Sequence, residues 1–187
     1  MQHHLSFISG WIRNPRAVGA VLPGSATLSR ASAGAFSLEP GATVVELGAG
    51  TGVVTRALVD RGVRPEDIVA VERDDHFCAM LRETFPRIAV AQDDAFDIRG
   101  IVQRRGISRL SAIVSGLPLL WKTPEERLAF LRDCLSVLPP GRPLVQYTYH
   151  RASPIIVDDP SIRVRRVARV WMNVPPATVW AYSQTPP

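Results

Sequence analysis

Apolar positions follow two alternating periods along this chain. Short apolar runs at 42–47, 67–72, 88–92, 109–115 and 143–149 read as buried strands. Residues 51–62 and 74–84 carry helical spacing, and Pro124-Glu-Glu opens a helix that ends near Leu138, where Pro139-Pro-Gly141 stops it. Strands alternating with helices predict an α/β fold with a parallel sheet. The last part differs in kind. Segments 162–172 and 177–183 are strand-like around the break Val174-Pro-Pro176, which predicts an antiparallel pair rather than another helical crossover. At the start, residues 4–13 form a short amphipathic pattern, and Pro23-Gly24-Ser25 caps a helix to about residue 35. The expectation is one domain over 1–187, with a helical extension at 1–38, a core at 39–187 and fraying only in the last few residues.

Composition narrows the class. A chain of 187 residues with 46% hydrophobic residues is long enough for a real core and too apolar for disorder. Cys78 and Cys134 lie far apart in helical patterns, which predicts two buried thiols in a reducing compartment and no disulfide. His3 and His4 are adjacent, His76 and His150 isolated, and no metal site is expected. The first twenty residues lack a continuous apolar stretch and no segment is long enough to span a bilayer, so a cytoplasmic protein is predicted.

The chemistry concentrates at the carboxyl ends of the strands. Ala42-Thr-Val-Val-Glu-Leu-Gly-Ala-Gly-Thr-Gly52 is an apolar strand ending on Glu46 that runs into Gly48, Gly50 and Gly52. Such glycines let backbone approach a ligand closely. The run 67–72 ends on Glu72, spaced to accept hydrogen bonds from ribose hydroxyls. Val53 stands where a dinucleotide fingerprint needs glycine or alanine.

Glu46-x-Gly48-x-Gly50-x-Gly52 instead resembles the first motif of the class I S-adenosylmethionine-dependent methyltransferases. The resemblance implies a Rossmann-like seven-stranded sheet with helices on both faces and an antiparallel C-terminal hairpin. It implies a glycine loop around the methionine part of S-adenosyl-L-methionine, involving Thr51, and a ribose held by Glu72 with Arg73 beside it. Asp94 and Ala95 match the adenine-contacting position, where Asp93 replaces a common glycine, leaving open which aspartate faces the base.

Substrate class rests on other loops. Ser115-Gly-Leu-Pro-Leu-Leu120 follows the fourth strand, where amine methyltransferases of adenine carry an amide and an aromatic. Gly116 and Leu119 remove both groups that a flipped adenine requires. Over most of its length the chain resembles the bacterial phospholipid N-methyltransferases, which methylate phosphatidylethanolamine. The shared segments are Asn14–Ser25, Val44–Thr55, Ser115–Leu120, Gln146-Tyr-Thr-Tyr149 and Ser153-Pro154. The chain departs from that pattern at Gly24 and at His150-Arg151. Ornithine-lipid N-methyltransferases share these features. The resemblance implies substrate contacts from Ser25, Gly116, Leu117, Pro118 and Trp121, with Ser115 bordering cofactor and reacting centre.

Physical features agree with a lipid. Leu5, Ile8, Trp11 and Ile12 share one helical face with Arg13 and Arg16 just beyond, an interfacial pattern. A net charge of +5 favours anionic membrane surfaces, so peripheral association with the inner face of the cell membrane is expected. Tyr147 and Tyr149, two apart on a strand, face one side and can orient the amine and hold methylammonium products against their rings. Thr148 points away. An RNA adenine methyltransferase is the main rival, since the cofactor motif serves those enzymes too. The missing amide and aromatic make nucleic acid an unlikely partner. A non-catalytic cofactor-binding scaffold would need no Gly-Leu-Pro-Leu or Gln-Tyr-Thr-Tyr.

Overall fold

The computed structural model describes residues 23–185. The helix expected at 4–13 and the side chain of Ser25 lie outside that description. Five strands run parallel: β1 (Thr43–Leu47), β2 (Ile68–Glu72), β3 (Ala89–Gln92), β4 (Leu110–Ser115) and β5 (Leu144–Thr148). β6 (Ile162–Val170) and β7 (Ala177–Gln184) complete the sheet in the order β3-β2-β1-β4-β5-β7-β6. β7 is antiparallel to both of its neighbours, so the expected C-terminal hairpin is present.

Helices cover both faces. On one face Leu28 of α1 (Pro23–Ala33), Leu58 of α2 (Val53–Asp60) and Leu81 of α3 (Asp75–Thr84) bury against Val44, Ala112 and Val145. On the other, Ile98 and Ile101 of α4 (Ile98–Arg104) and Leu131 and Leu135 of α5 (Pro124–Val137) cover Val45, Ile113 and Leu144. The helix starts are capped where the side chains allow it. Asp74 accepts from the backbone N–H of His76 and Phe77, and Thr123 forms a reciprocal capping box with Glu126.

α4 was not predicted. It has only seven residues and Gly100 in its first turn, which blurs the helical period. Tertiary burial of Ile98 and Ile101 and the Asp97 cap on Gly100 N–H make it a helix nonetheless. The predicted strand 162–172 ends at Val170, and Trp171 and Met172 belong to the turn. Cys78 and Cys134 are buried, free thiols, as expected.

β1 lies between β2 and β4, so strand order reverses there. Loops leaving the two sides of that reversal open a crevice at the carboxyl edge, which is where ligands bind in open α/β sheets.

Candidate active site

The β1–α2 turn builds the floor of the crevice. Gly48 and Ala49 both donate to the carbonyl of Val71, which pins the turn to β2. Gly50 (φ +51°) donates through its N–H to Glu72 Oε2 at 2.9 Å. A side chain at Gly50 would meet nothing within 4 Å, because that backbone faces open space. Gly52 (φ +77°) has the opposite environment: a Cβ there would lie 2.7 Å from Phe85 and 2.9 Å from Leu81. One glycine opens the site and the other seats α2 on α3.

The acids are held in distinct ways. Glu72 Oε1 also accepts from the N–H groups of Arg73 (2.8 Å) and Asp74 (3.0 Å), so its carboxylate is oriented by backbone at the end of β2. Arg73 itself is exposed. Glu46 is 2% exposed and takes a 2.6 Å hydrogen bond from Thr55 Oγ1. Burial pushes its pKa up to about 8, against the Thr55 hydrogen bonds, with Glu72 nearby adding a smaller upward push. Asp93 is bound to Arg104 at 2.6 Å, which holds its pKa below the usual range. Asp94 is exposed and uses one oxygen to accept from Phe96 N–H at 3.0 Å. Ala95 is buried beside it. Of the two aspartates, Asp94 is therefore the one with a carboxylate oxygen left for a ligand.

A cavity of about 230 Å³ opens over this floor. Glu46, Gly48, Gly50 and Thr51 line one side, Gly116, Tyr147 and Tyr149 the other. The two tyrosines meet edge to face with ring centroids 6.4 Å apart. Thr148 turns the other way and accepts from His150 N–H. Gly116 lines the tyrosine side of the cavity. A Cβ at that position would sit 2.7 Å from the Tyr147 hydroxyl and 3.3 Å from the Gly48 carbonyl. Tyr147 thus occupies the volume that any larger residue at position 116 would claim. Burial, with Tyr149 and Glu46 nearby, raises the Tyr147 pKa far above the ordinary phenol range.

The loop after β4 is fixed from behind. Ser115 is buried and its Oγ accepts from Leu117 N–H at 3.3 Å. Gln146 Nε2 donates to the carbonyls of Leu117 (3.0 Å) and Tyr147 (2.7 Å). Arg127 donates to the carbonyls of Leu120 and Pro154, joining this loop to the one after β5. Leu119 packs into the core, whereas Leu120 and Trp121 are exposed and Pro118 lies at the surface.

Several contributors carried no signal in the sequence reading. Leu28 and Ser29 of α1, Val53 and Val54 of α2 and Phe77 of α3 also line the cavity. Asn173, only 3% exposed, donates to the Pro175 carbonyl at 2.8 Å, and its nearness to Tyr149 offsets part of the rise that burial causes in that phenol's pKa.

Comparison with known proteins accords with this geometry. Residues 27–105 match the ribosomal RNA adenine dimethylase family. The chain is 34% identical over 152 residues to the ornithine lipid N-methyltransferase of Singulisphaera acidiphila, covering 79% of each protein. The chain belongs to the class I S-adenosylmethionine-dependent methyltransferases. Solved structures share the fold of this methyltransferase. TrmN from Thermus thermophilus superposes with a TM-score of 0.62 at 20% identity, over 92% of this chain and 52% of its own, so the enzyme spans about half of TrmN. A TehB-like methyltransferase from Corynebacterium glutamicum gives 0.58 at 17% identity over 98% of both chains.

S-adenosyl-L-methionine is the cofactor of this methyltransferase. The site fits it. Open backbone at Gly50 admits a close ligand, and the buried Glu46 carboxyl offers a partner to positive charge. Among the described residues, no cluster of metal-ligating side chains accompanies it.

Proposed function

We propose that this methyltransferase acts on the amine of a membrane-lipid head group. The observation that carries the reading is the seating of the Tyr147 hydroxyl against Gly116, which makes the acceptor wall from tyrosine rings instead of a side-chain amide. The kinship with an ornithine lipid N-methyltransferase supports the same class of substrate. It favours ornithine lipid as head group. Phosphatidylethanolamine, to which the motifs of the acceptor loops point, offers a primary amine of the same kind. Catalysis would be peripheral, at the inner face of the cell membrane. No helix among the described residues is long and apolar enough to cross a bilayer.

In this reading Glu72 accepts from the ribose hydroxyls through lone pairs left beside its backbone bonds. Gly48, Gly50 and Thr51 enclose the methionine part, and Asp94 with Ala95 borders the adenine. The bound cofactor supplies an electrophilic methyl on a positively charged sulfonium. The protein's task is alignment of the amine at roughly 3–3.5 Å, the source of most of the acceleration in such displacements. Tyr147 remains a phenol at any working pH because of its raised pKa, so it orients the amine by hydrogen bonding and takes no proton from it. The ammonium loses its proton to solvent as it enters the apolar wall, since desolvation disfavours the charged form. Tyr149 stands at the mouth, where its ring can hold a methylated cation.

The test offers methyl-labelled S-adenosylmethionine to the enzyme with vesicles of ornithine lipid, vesicles containing phosphatidylethanolamine, and ribosomal RNA. Label confined to lipid is the expected outcome, and its distribution between the two lipids assigns the head group. Label in RNA would overturn the proposal in favour of the adenine chemistry suggested by the match over residues 27–105.

A further inference from the structure

Six of the nine exposed large apolar side chains among the described residues gather in one region; Leu38, Ile156 and Val164 are the other three. Leu120 and Trp121 follow β4, Tyr149 follows β5, and Trp171, Met172 and Val174 form the β6–β7 turn. Pairing of Thr148 with Thr178 and of Val170 with Ala177 puts that turn just beyond the carboxyl end of β5. All six residues therefore border one edge of the sheet, the edge on which the cavity opens. The turn is the most prominent of these features, with Trp171, Met172 and Val174 at 67%, 71% and 80% exposure.

Three consecutive features of the turn point to a partner of specific chemistry. Its apolar residues are a tryptophan, a methionine and a valine, and the Arg169 guanidinium lies 4.4 Å from the Trp171 ring centroid, an arrangement suited to an apolar body with a charged head at its rim. β6 and β7 carry no acidic residue, and Arg169 stands at the tip end of β6 (Arg163 and Arg165 lie at the other end), so the tip complements anionic phosphates. Asn173, between the exposed residues, is buried, and its side chain is close enough to Tyr149 of the cavity wall to offset part of the rise that burial causes in that phenol's pKa. Through Asn173 the tip thus stands next to the site.

We propose that the β6–β7 turn is a membrane-docking tip that inserts Trp171, Met172 and Val174 among the acyl chains of a phospholipid bilayer and holds the cavity mouth at head-group depth. The proposal rests on the lipid-amine reading for its purpose. Arg169 stays level with the phosphates and Asn173 ties the depth of the tip to the position of Tyr149. A lipid amine then reaches Tyr147 without leaving the plane of the membrane.

Full-length Met172→Cys protein, labelled with an environment-sensitive dye, tests the insertion. Cys78 and Cys134 are buried at 0% exposure and do not compete for the label. Leu38→Cys, ahead of β1 at the opposite sheet edge, serves as control. With vesicles of equal parts phosphatidylethanolamine and phosphatidylglycerol, the dye at 172 should brighten severalfold and shift to the blue while the dye at 38 does not change. A Trp171→Ser/Val174→Ser double variant should bind these vesicles at least about tenfold more weakly. It should keep its turnover on a monomeric short-chain phosphatidylethanolamine and its affinity for the cofactor. An unresponsive dye at 172, equal responses at both positions, or unchanged vesicle affinity of the double variant would overturn the docking tip. Brightening at 172 with rising protein concentration and no lipid would overturn it in favour of a second copy of the chain. A dye that responds while neither phosphatidylethanolamine nor ornithine lipid, offered as monomer or in vesicles, is methylated would leave the tip standing and remove the lipid-amine function instead.

Discussion

The two halves of the carboxyl edge of the sheet are built on different principles. Around β1 and β2, ligand-facing groups are set by backbone: Glu72 is clamped by the N–H groups of Gly50, Arg73 and Asp74, and the glycine turn hangs from the Val71 carbonyl. Around β4, β5 and β7, the geometry comes from side chains that meet across strands: Tyr147 against Gly116, Gln146 under Leu117, Asn173 on Tyr149. A backbone-built site tolerates many surroundings, which suits a cofactor shared by a superfamily. A site built from side-chain contacts changes with a few substitutions, which suits a variable acceptor.

The contrast can be broken most severely at the glycines. Gly52→Ala should cost about 3 kcal/mol of stability, since it combines a left-handed backbone with contact on Phe85 and Leu81. Gly50→Ala should cost only about 1–2 kcal/mol yet still lose cofactor affinity, because its added methyl enters the ligand's space. Denaturant melts and calorimetric titration of the two variants separate folding from binding. Equal stability losses would dissolve the distinction.

On the acceptor side, Gly116→Ala should lower turnover by about a hundredfold with cofactor affinity unchanged, by displacing the Tyr147 hydroxyl. Tyr147→Phe alone should lower it by about tenfold. In the double variant the losses should combine to less than their product, since removing the hydroxyl relieves the collision. Multiplicative losses would show that the two positions act independently.

Glu46 joins the halves through pH. Its pKa is raised from 4.5 to about 8, so the folded chain holds a proton there that the unfolded chain releases. Stability conferred by that proton is full below about pH 4.5 and is lost as pH rises toward about pH 8. Across that range the melting temperature of cofactor-free protein should decline by roughly 5–10 °C more than that of Glu46→Gln. Affinity for the cationic cofactor should rise over the same range in the parent and stay flat in Glu46→Gln. The smallest effect is expected at Arg104→Ala, which frees Asp93 from an exposed ion pair and should change stability by less than about 1 kcal/mol.

Legibility followed the same division. Strand positions were read to within a residue or two because buried parallel strands are continuous apolar runs, and β1 with its glycines announced both fold and cofactor. The antiparallel hairpin was legible from Val174-Pro-Pro176. α4 was missed, since Gly100 weakens its local preference and only packing of Ile98 and Ile101 restores it. The same-side placement of Tyr147 and Tyr149 followed from strand alternation. Their contacts with Gly116 and Asn173 did not, because those partners come from strands and turns far along the chain.

The sequence by itself determined what repeats at short range: strand and helix periods, the positive-φ turn that glycines permit, and an acid at the end of each of two strands. Those depend on a few neighbouring residues and survive any arrangement of the rest. Only the tertiary structure decided that Tyr147 fills the space above Gly116, that Arg104 pairs with Asp93, and that the β6–β7 turn stands beyond the carboxyl end of β5. Each depends on which strand lies next to which, a property of the sheet order that no local stretch of residues encodes.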